Sequence, residues 1–263
     1  MFDFKRHLNK NLSSKADRNL KTARVFITGD KHRKFWSLYR FCKKNHTSYS
    51  DTVIILGDSG INYYGDKRDT KLKKKLSRIP VTLFCIHGNK ERRANDIDDY
   101  KTKTYLGGIV FYEEEFPNIL FAKDAEIYDF CGYSTLVIGG AHSVDKRLCL
   151  ERSRPYWFNE EPGHVIKQKV ERKLKQNNYQ IDVILSHTVP LKYEPKEMLV
   201  SSSDTPETNE VKKTWLDIDK STEVWLDYIE EITLYYRWYA GHYHTNKCVD
   251  RLTILYDNFE ELV

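Results

Sequence analysis

Five short apolar runs, each ending in a side chain able to bind a metal ion, constrain this chain more than any other feature. The clearest is Ile54-Ile55-Leu56-Gly57-Asp58, where an apolar run stops at a glycine and leaves a carboxylate at its end. The same order recurs at Val25-Phe26-Ile27-Thr28-Gly29-Asp30-Lys31-His32 and at Leu83-Phe84-Cys85-Ile86-His87-Gly88-Asn89. It returns at Val183-Ile184-Leu185-Ser186-His187 and at Tyr239-Ala240-Gly241-His242-Tyr243-His244. Short continuous apolar runs bounded by turn signals read as buried strands. Five of them closing on ligands is the pattern of a sheet that carries metals along one edge.

With 263 residues the chain is long enough for one large α/β domain with a sizeable core. The net charge of +5 permits phosphate-rich partners without demanding them. No apolar run approaches the roughly 18 residues of a membrane span. The basic, polar N-terminus lacks the apolar stretch of a secretory signal. The expectation is a cytoplasmic protein with no membrane partner. The five cysteines, Cys42, Cys85, Cys131, Cys149 and Cys248, are odd in number and form no CxxC pair. They read as reduced thiols rather than a disulfide framework.

Residues 1–22 are polar and basic and read as an N-terminal extension; residues 23–263 read as one domain. Strands are expected at 25–28, 52–56 and 81–86, with helices at 35–44 and 67–77 between them. This alternation favours a parallel sheet with right-handed crossovers. Trp36, Leu38, Tyr39, Phe41 and Cys42 recur at helical spacing, and Lys73-Lys74-Lys75 reads as a solvated helix face. Closely spaced strands at 109–112, 119–121, 126–130 and 134–138 suggest antiparallel ribbons. Glu113-Glu114-Glu115 reads as a turn. A helix at 164–176, a strand at 181–186, a Ser/Thr/Asp/Pro-rich loop at 201–209, a helix at 221–235 and a strand at 252–256 follow. In the 221–235 helix, Val224, Leu226, Ile229 and Ile232 are available for the core.

Asp30 with His32, and His242 with His244, stand two residues apart, so each pair can reach one ion. Asp58 offers two carboxylate oxygens, Asn89 an amide oxygen and His187 an imidazole. Carboxylate, amide and imidazole without thiolate suits Mn, Fe or Zn rather than a structural zinc site.

At these positions the chain resembles the calcineurin-like metallophosphoesterases. The matching stretches are Asp30-Lys31-His32, Gly57-Asp58-Ser59-Gly60, Gly88-Asn89-Lys90-Glu91, Ser186-His187 and Gly241-His242-Tyr243-His244. Gly139-Gly140-Ala141-His142-Ser143-Val144-Asp145-Lys146 is similar to the bacterial and phage branch of that family. The resemblance implies a four-layer α/β/β/α sandwich and two divalent metal ions, Mn before Fe or Zn. It implies Asp30, His32, Asp58 and His244 on one ion, and Asp58, Asn89, His187 and His242 on the other. Two such ions about 3.5–4 Å apart polarise phosphoryl oxygens and acidify a bridging water, whose hydroxide attacks phosphorus in line.

The implied activity is hydrolysis of a phosphomonoester or phosphodiester, such as a nucleotide, centred on Asp58 and Lys90. Lys90 stands where the family carries a histidine. A lysine steadies negative charge, but with an ordinary pKa of about 10.4 it is a poor general acid at neutral pH. The alternatives are a catalytically impaired metal-dependent phosphate- or nucleotide-binding protein, and a nuclease using the same site. Arg92, Arg93, Lys146, Arg147 and Arg152 are candidates for phosphate oxygens, and Asn62, Tyr63 and Tyr64 for the mouth of the site or for stacking a base. His87, His142 and His164 read as structural or loop histidines, and His7 and His46 as incidental.

Overall fold

The computed structural model describes residues 23–143, 146, 155–196 and 219–262. The 1–22 extension, the 201–209 loop, Val144, Asp145, Arg147, Cys149 and Arg152 lie outside the described residues.

The fold is mixed α/β, with two sheets. At the centre of the first lie β1 (Val25–Thr28), β2 (Thr52–Ile55) and β3 (Thr82–Cys85), each parallel to the next. Helices α1 (Trp36–Asn45) and α2 (Lys67–Leu76) connect them in chain order. The antiparallel β4 (Lys101–Tyr105), β5 (Gly108–Tyr112) and β6 (Ile119–Ala122) continue this sheet, with β6 parallel to β3. In the second sheet, β7 (Ile127–Phe130) pairs antiparallel with β8 (Tyr133–Ile138). Next come β9 (Gln180–Ser186), β10 (Leu234–Ala240) and β12 (Leu252–Ile254), all parallel, with β11 (Lys247–Val249) at the edge. Helices α3 (His164–Gln176) and α4 (Ser221–Ile232) precede β9 and β10. The last strand, β13 (Phe259–Glu261), returns to pair antiparallel with β1.

Strand periodicity explains why the central runs are apolar throughout. Successive side chains point to opposite faces, and here both faces are covered. Ile27, Ile54 and Phe84 share one apolar cluster with Val137, Val183, Leu185 and Tyr239 of the second sheet. Their neighbours Phe26, Val53, Ile55, Leu83 and Cys85 pack instead with Leu38 and Cys42 of α1 and Leu76 of α2. On the far side, Leu136, Ile138, Ile184 and Trp238 pack with Val170 and Leu174 of α3 and Leu226 and Ile229 of α4. No helix among the described residues is long and apolar enough to cross a membrane.

Several expectations change. In α1 only Leu38 and Cys42, one helical turn apart, are buried; Trp36 and Tyr39 are exposed. A run apolar at five of seven positions spreads around the helix, and only one stripe can face the sheet. In α4 Val224 is exposed, while Thr222, Glu223 and Glu230 are buried. That helix ends at Ile232, because Leu234 already pairs in β10. Lys73 is not solvated: it is buried, its Nζ 2.6 Å from Glu113 Oε1 and 4.8 Å from the centre of the Tyr100 ring. The Glu113–115 turn thus receives a buried ion pair, with Glu115 paired to Lys74 and Glu114 to Lys101. Strands β4, β11 and β13 were not expected, being short or polar pieces at sheet edges.

At the N-terminal ends of β1 and β2, Arg24 forms a fork on Asp51, with Nε 3.1 Å from Oδ1 and Nη2 3.0 Å from Oδ2. The Ser48 and Arg24 backbone N–H groups also donate to this carboxylate, at 2.8 and 3.0 Å. Burial alone would raise the Asp51 pKa; the Arg24 guanidinium and these N–H donors override it and hold it at about 2. A depressed carboxylate pKa stabilises the fold above the unfolded value, and this is lost as pH falls through the folded one. Asp51→Asn is therefore expected to lower unfolding free energy by on the order of 2 kcal/mol at pH 7. In denaturant titrations the gap should close as pH falls from about 4 towards 2.

Candidate metal centre

The parallel strands β1, β2, β3, β9 and β10 all point their C-terminal ends the same way, and the residues just beyond those ends meet. Asp30, Asp58 and Asn89 come from the first sheet and are buried. His187, fully buried, and His242 and His244 come from the second. His32, partly exposed, sits in the turn after Asp30.

Two overlapping groups result. In the first, Asp30 Oδ2 lies 3.2 Å from His244 Nε2 and 3.6 Å from His32 Nε2. The two imidazole nitrogens are themselves 2.8 Å apart, and Asp58 Oδ2 is 3.8 Å from His32 Nε2. In the second, Asn89 Oδ1 lies 2.8 Å from His187 Nε2 and 3.2 Å from His242 Nδ1, with Asp58 Oδ1 3.7 Å from His187 Nε2. Asp58 belongs to both, one oxygen towards each. The structure therefore brings together all seven residues singled out in the sequence as ligands.

The surrounding bonds aim lone pairs inward. His187 Nδ1 donates to the Leu56 carbonyl at 2.7 Å, which leaves Nε2 as an acceptor in the neutral ring. Asn89 Nδ2 donates to Ser143 Oγ at 2.8 Å, which turns Oδ1 towards the two histidines. Two acceptors then face each other 2.8 Å apart. Asp30 Oδ1 accepts from the His242 backbone N–H at 2.9 Å, while Oδ2 is buried and accepts no aligned hydrogen bond. Converging acceptors with too few protons fit a cation, so these buried Asp and His groups can hold a metal ion.

The electrostatics agree. Burial disfavours ionised Asp30, but the imidazoles of His244 and His32 outweigh it and hold its carboxyl well below the usual range. Asp58 is pushed up, by burial and by the charge of Asp30. Burial holds His242 well below its ordinary pKa, so it stays neutral and able to ligate. Around the ligands Glu91 is buried and clamps the turn after Asp58, accepting from Ser59 Oγ at 2.5 Å and from the Gly60 N–H at 3.1 Å. Burial raises its carboxyl to about 7 against these bonds.

The backbone is strained here. His32, Asp58, His242 and His244 all have φ between 42° and 67°, a region few non-glycine residues enter. Two glycines make room for the ligands. A Cβ on Gly88 would overlap Asp58 N and Oδ1, and a Cβ on Gly241 would overlap Asp30 Oδ1.

The substrate-side expectations divide. Arg93 is not available to a substrate. It is buried, its guanidinium engaged by Asp124 and by the carbonyls of Asn159 and Glu161. Arg92 is exposed and donates to the Asp96 carbonyl. Asn62 is buried and accepts from Tyr100 OH at 3.0 Å. Tyr63 packs edge-on against Trp157, ring centres 5.5 Å apart, and the Tyr64 ring lies under the Arg68 guanidinium at 3.4 Å. Lys146 Nζ lies 3.8 Å from Glu160 Oε1 and over the Tyr156 ring. The Lys90 backbone N–H donates to Asp58 Oδ1 at 2.7 Å. His87 is buried, and burial, then Arg93, pushes its imidazole pKa well down. His142 Nδ1 sits 3.1 Å from Glu161 Oε2, and with Asp219 these form a separate, more exposed group.

Sequence reasoning missed the orienting partners Leu56, Ser143 and Tyr256, whose ring stacks on His244 with centres 4.7 Å apart. Ser143 stands in the Gly139-Gly140 motif, so a signal existed for it. A backbone carbonyl leaves none.

No protein-family model and no curated protein matches this chain. Among solved structures it is similar to TT1561 of Thermus thermophilus, at 11% identity and a TM-score of 0.49, covering 91% of this chain and 97% of that one. It is also similar to the protein of unknown function AQ665 from Aquifex aeolicus, at 12% identity and a TM-score of 0.33, covering 65% of this chain and 82% of that one.

A divalent transition-metal ion at 100 times its Kd is expected to raise unfolding free energy by about 2.7 kcal/mol. Asp58→Asn should abolish that increase in thermal melts. The same variant should leave the metal-free protein equally stable or more so, because it removes one of two crowded carboxylates.

Proposed function

We propose that this chain is a dimetal-dependent phosphoesterase of the calcineurin-like kind, built as a four-layer α/β/β/α sandwich and acting on a phosphomonoester or phosphodiester. The observation that carries the reading is the shared carboxylate: Asp58 turns one oxygen to the Asp30–His32–His244 group and the other towards His187 and Asn89. One apolar cluster between the sheets and one under each pair of helices supports the layering. Free Cys42, Cys85, Cys131 and Cys248 fit a reducing, cytoplasmic setting.

Asp30, His32, Asp58 and His244 would hold one ion, and Asp58, Asn89, His187 and His242 the other, with Mn(II) the first choice for this donor set. Bound there, the ions would polarise the phosphoryl oxygens and acidify a water between them. The protein's own groups set the rest. The Leu56 carbonyl fixes the His187 tautomer, and Ser143 fixes the Asn89 amide. Lys90 follows Asn89 directly, and its N–H anchors Asp58. Its ammonium suits charge on a phosphoryl group better than proton delivery to a leaving alkoxide.

With Mn(II), p-nitrophenyl phosphate hydrolysis is expected, and Asp58→Asn should remove it; no metal-dependent release of nitrophenolate under any divalent ion would refute the reading. Lys90→His should raise turnover of unactivated alkyl phosphates by up to about 10²–10⁴-fold. Aryl phosphates, whose leaving group needs no proton, should change little. Equal turnover of alkyl phosphates by both proteins would show that Lys90 does not limit the reaction.

A further inference from the structure

A cavity of about 780 Å³ opens beside α1, between that helix and the edge strand β13 of the sheet it covers. Its floor is Phe41 and Phe259, stacked with ring centres 4.1 Å apart and planes 9° from parallel. Trp36 stands at its rim, 67% exposed although it is the largest side chain in the helix. Arg40, Lys43 and Lys44 line the same space, and Asp257 is its one carboxylate. None of these three cations has an ion-pair partner among the described residues. Lys43 and Lys44 in the last turn complement the helix dipole. That role accounts for neither Arg40 nor an exposed tryptophan over an aromatic floor.

Flat aromatic faces interleaved with fixed positive charge recognise a chain of flat rings joined by anions. We infer that this cavity is a binding site for single-stranded nucleic acid, with a base stacked on the exposed Trp36, the paired Phe41 and Phe259 rings giving apolar contact beside it, and phosphates against Arg40, Lys43 and Lys44. A duplex hides the faces of its bases and does not fit this chemistry. The volume lies within the range of sites that enclose a small molecule, which suits one or two nucleotides of a longer strand. A membrane surface also attracts tryptophan and lysine, but through a protruding face, and this one is concave.

Two short links connect the cavity lining to the candidate metal centre. Asp257 and Phe259 follow Tyr256, the residue stacked on His244. Lys31, next to Asp30, donates its Nζ to the Tyr256 carbonyl at 3.0 Å and lies 5.3 Å from the centre of the Phe259 ring. The site itself stands on the α1 face and does not require that the metal pair hydrolyse anything.

The test is fluorescence anisotropy of labelled dT12 with the full chain in EDTA, where no turnover occurs. Binding is expected, with a slope of log K against log[salt] near −2, from three phosphate contacts at about −0.7 each. Trp36→Ala should weaken it by about fivefold or more, the lower end of what one stacked base contributes. Arg40→Glu should flatten the slope. Failure to bind dT12 overturns the inference. So does equal binding of a duplex, equal competition by inorganic polyphosphate with Trp36→Ala unchanged, or capture by phosphatidylserine vesicles without dT12 binding. Trp36→Ala should leave aryl phosphate hydrolysis unchanged. Strand binding without hydrolysis strikes only the phosphoesterase reading, and hydrolysis without strand binding strikes only this one.

Discussion

Asp30 and Asp58 are two carboxylates buried in one pocket, and the local structure is arranged around their mutual repulsion. Water is largely excluded from both, so their charges are poorly screened. Neighbouring imidazoles draw Asp30 down, and burial with Asp30 draws Asp58 up. Such a pair persists where positive charge is to be bound between the acids. The close pair of Asn89 Oδ1 and His187 Nε2 follows the same logic, since the other ring nitrogen of His187 is already committed to the Leu56 carbonyl. An arrangement that would be wasteful in a metal-free protein is the geometry a cation needs.

Holding that arrangement strains the main chain. Four of the candidate ligands sit at positive φ, a conformation that costs an ordinary residue on the order of 1 kcal/mol or more. The sheets supply the compensation. Strands β1, β2 and β3 are almost wholly buried, and their apolar contacts above and below leave the turns at their ends little freedom. Glu91 adds a second restraint by grasping Ser59 and Gly60 from the next turn along. Rigid strands and a buried clamp thus fix the converging side chains from outside the site.

Much of this was legible in the residues because burial on both faces writes a plain signature. Ile54-Ile55 and Val183-Ile184-Leu185 admit few readings other than covered strands, and the α/β alternation follows from them. The seven converging side chains were legible because each follows such a run. The edges were not. Strand β4 is Lys101-Thr102-Lys103-Thr104-Tyr105, and its polarity is what an edge exposed to water demands. The exposure of Trp36 and the burial of Lys73 were equally hidden, since each depends on a partner distant in sequence or on the lack of one. Arg93 misled for the same reason. Its position after the Asn89 motif pointed at substrate, but Asp124, on another strand connection, claims the guanidinium.

The ligand sets are divided between the two sheets, and this orders events in time. As the polypeptide leaves the ribosome, Asp30, His32, Asp58 and Asn89 emerge long before His187, His242 and His244. An early fragment would present two acids, one amide and a single imidazole. Neither group of converging acceptors is complete until β10 has docked, so any ion these groups hold would be taken up only by a chain whose two sheets have already joined.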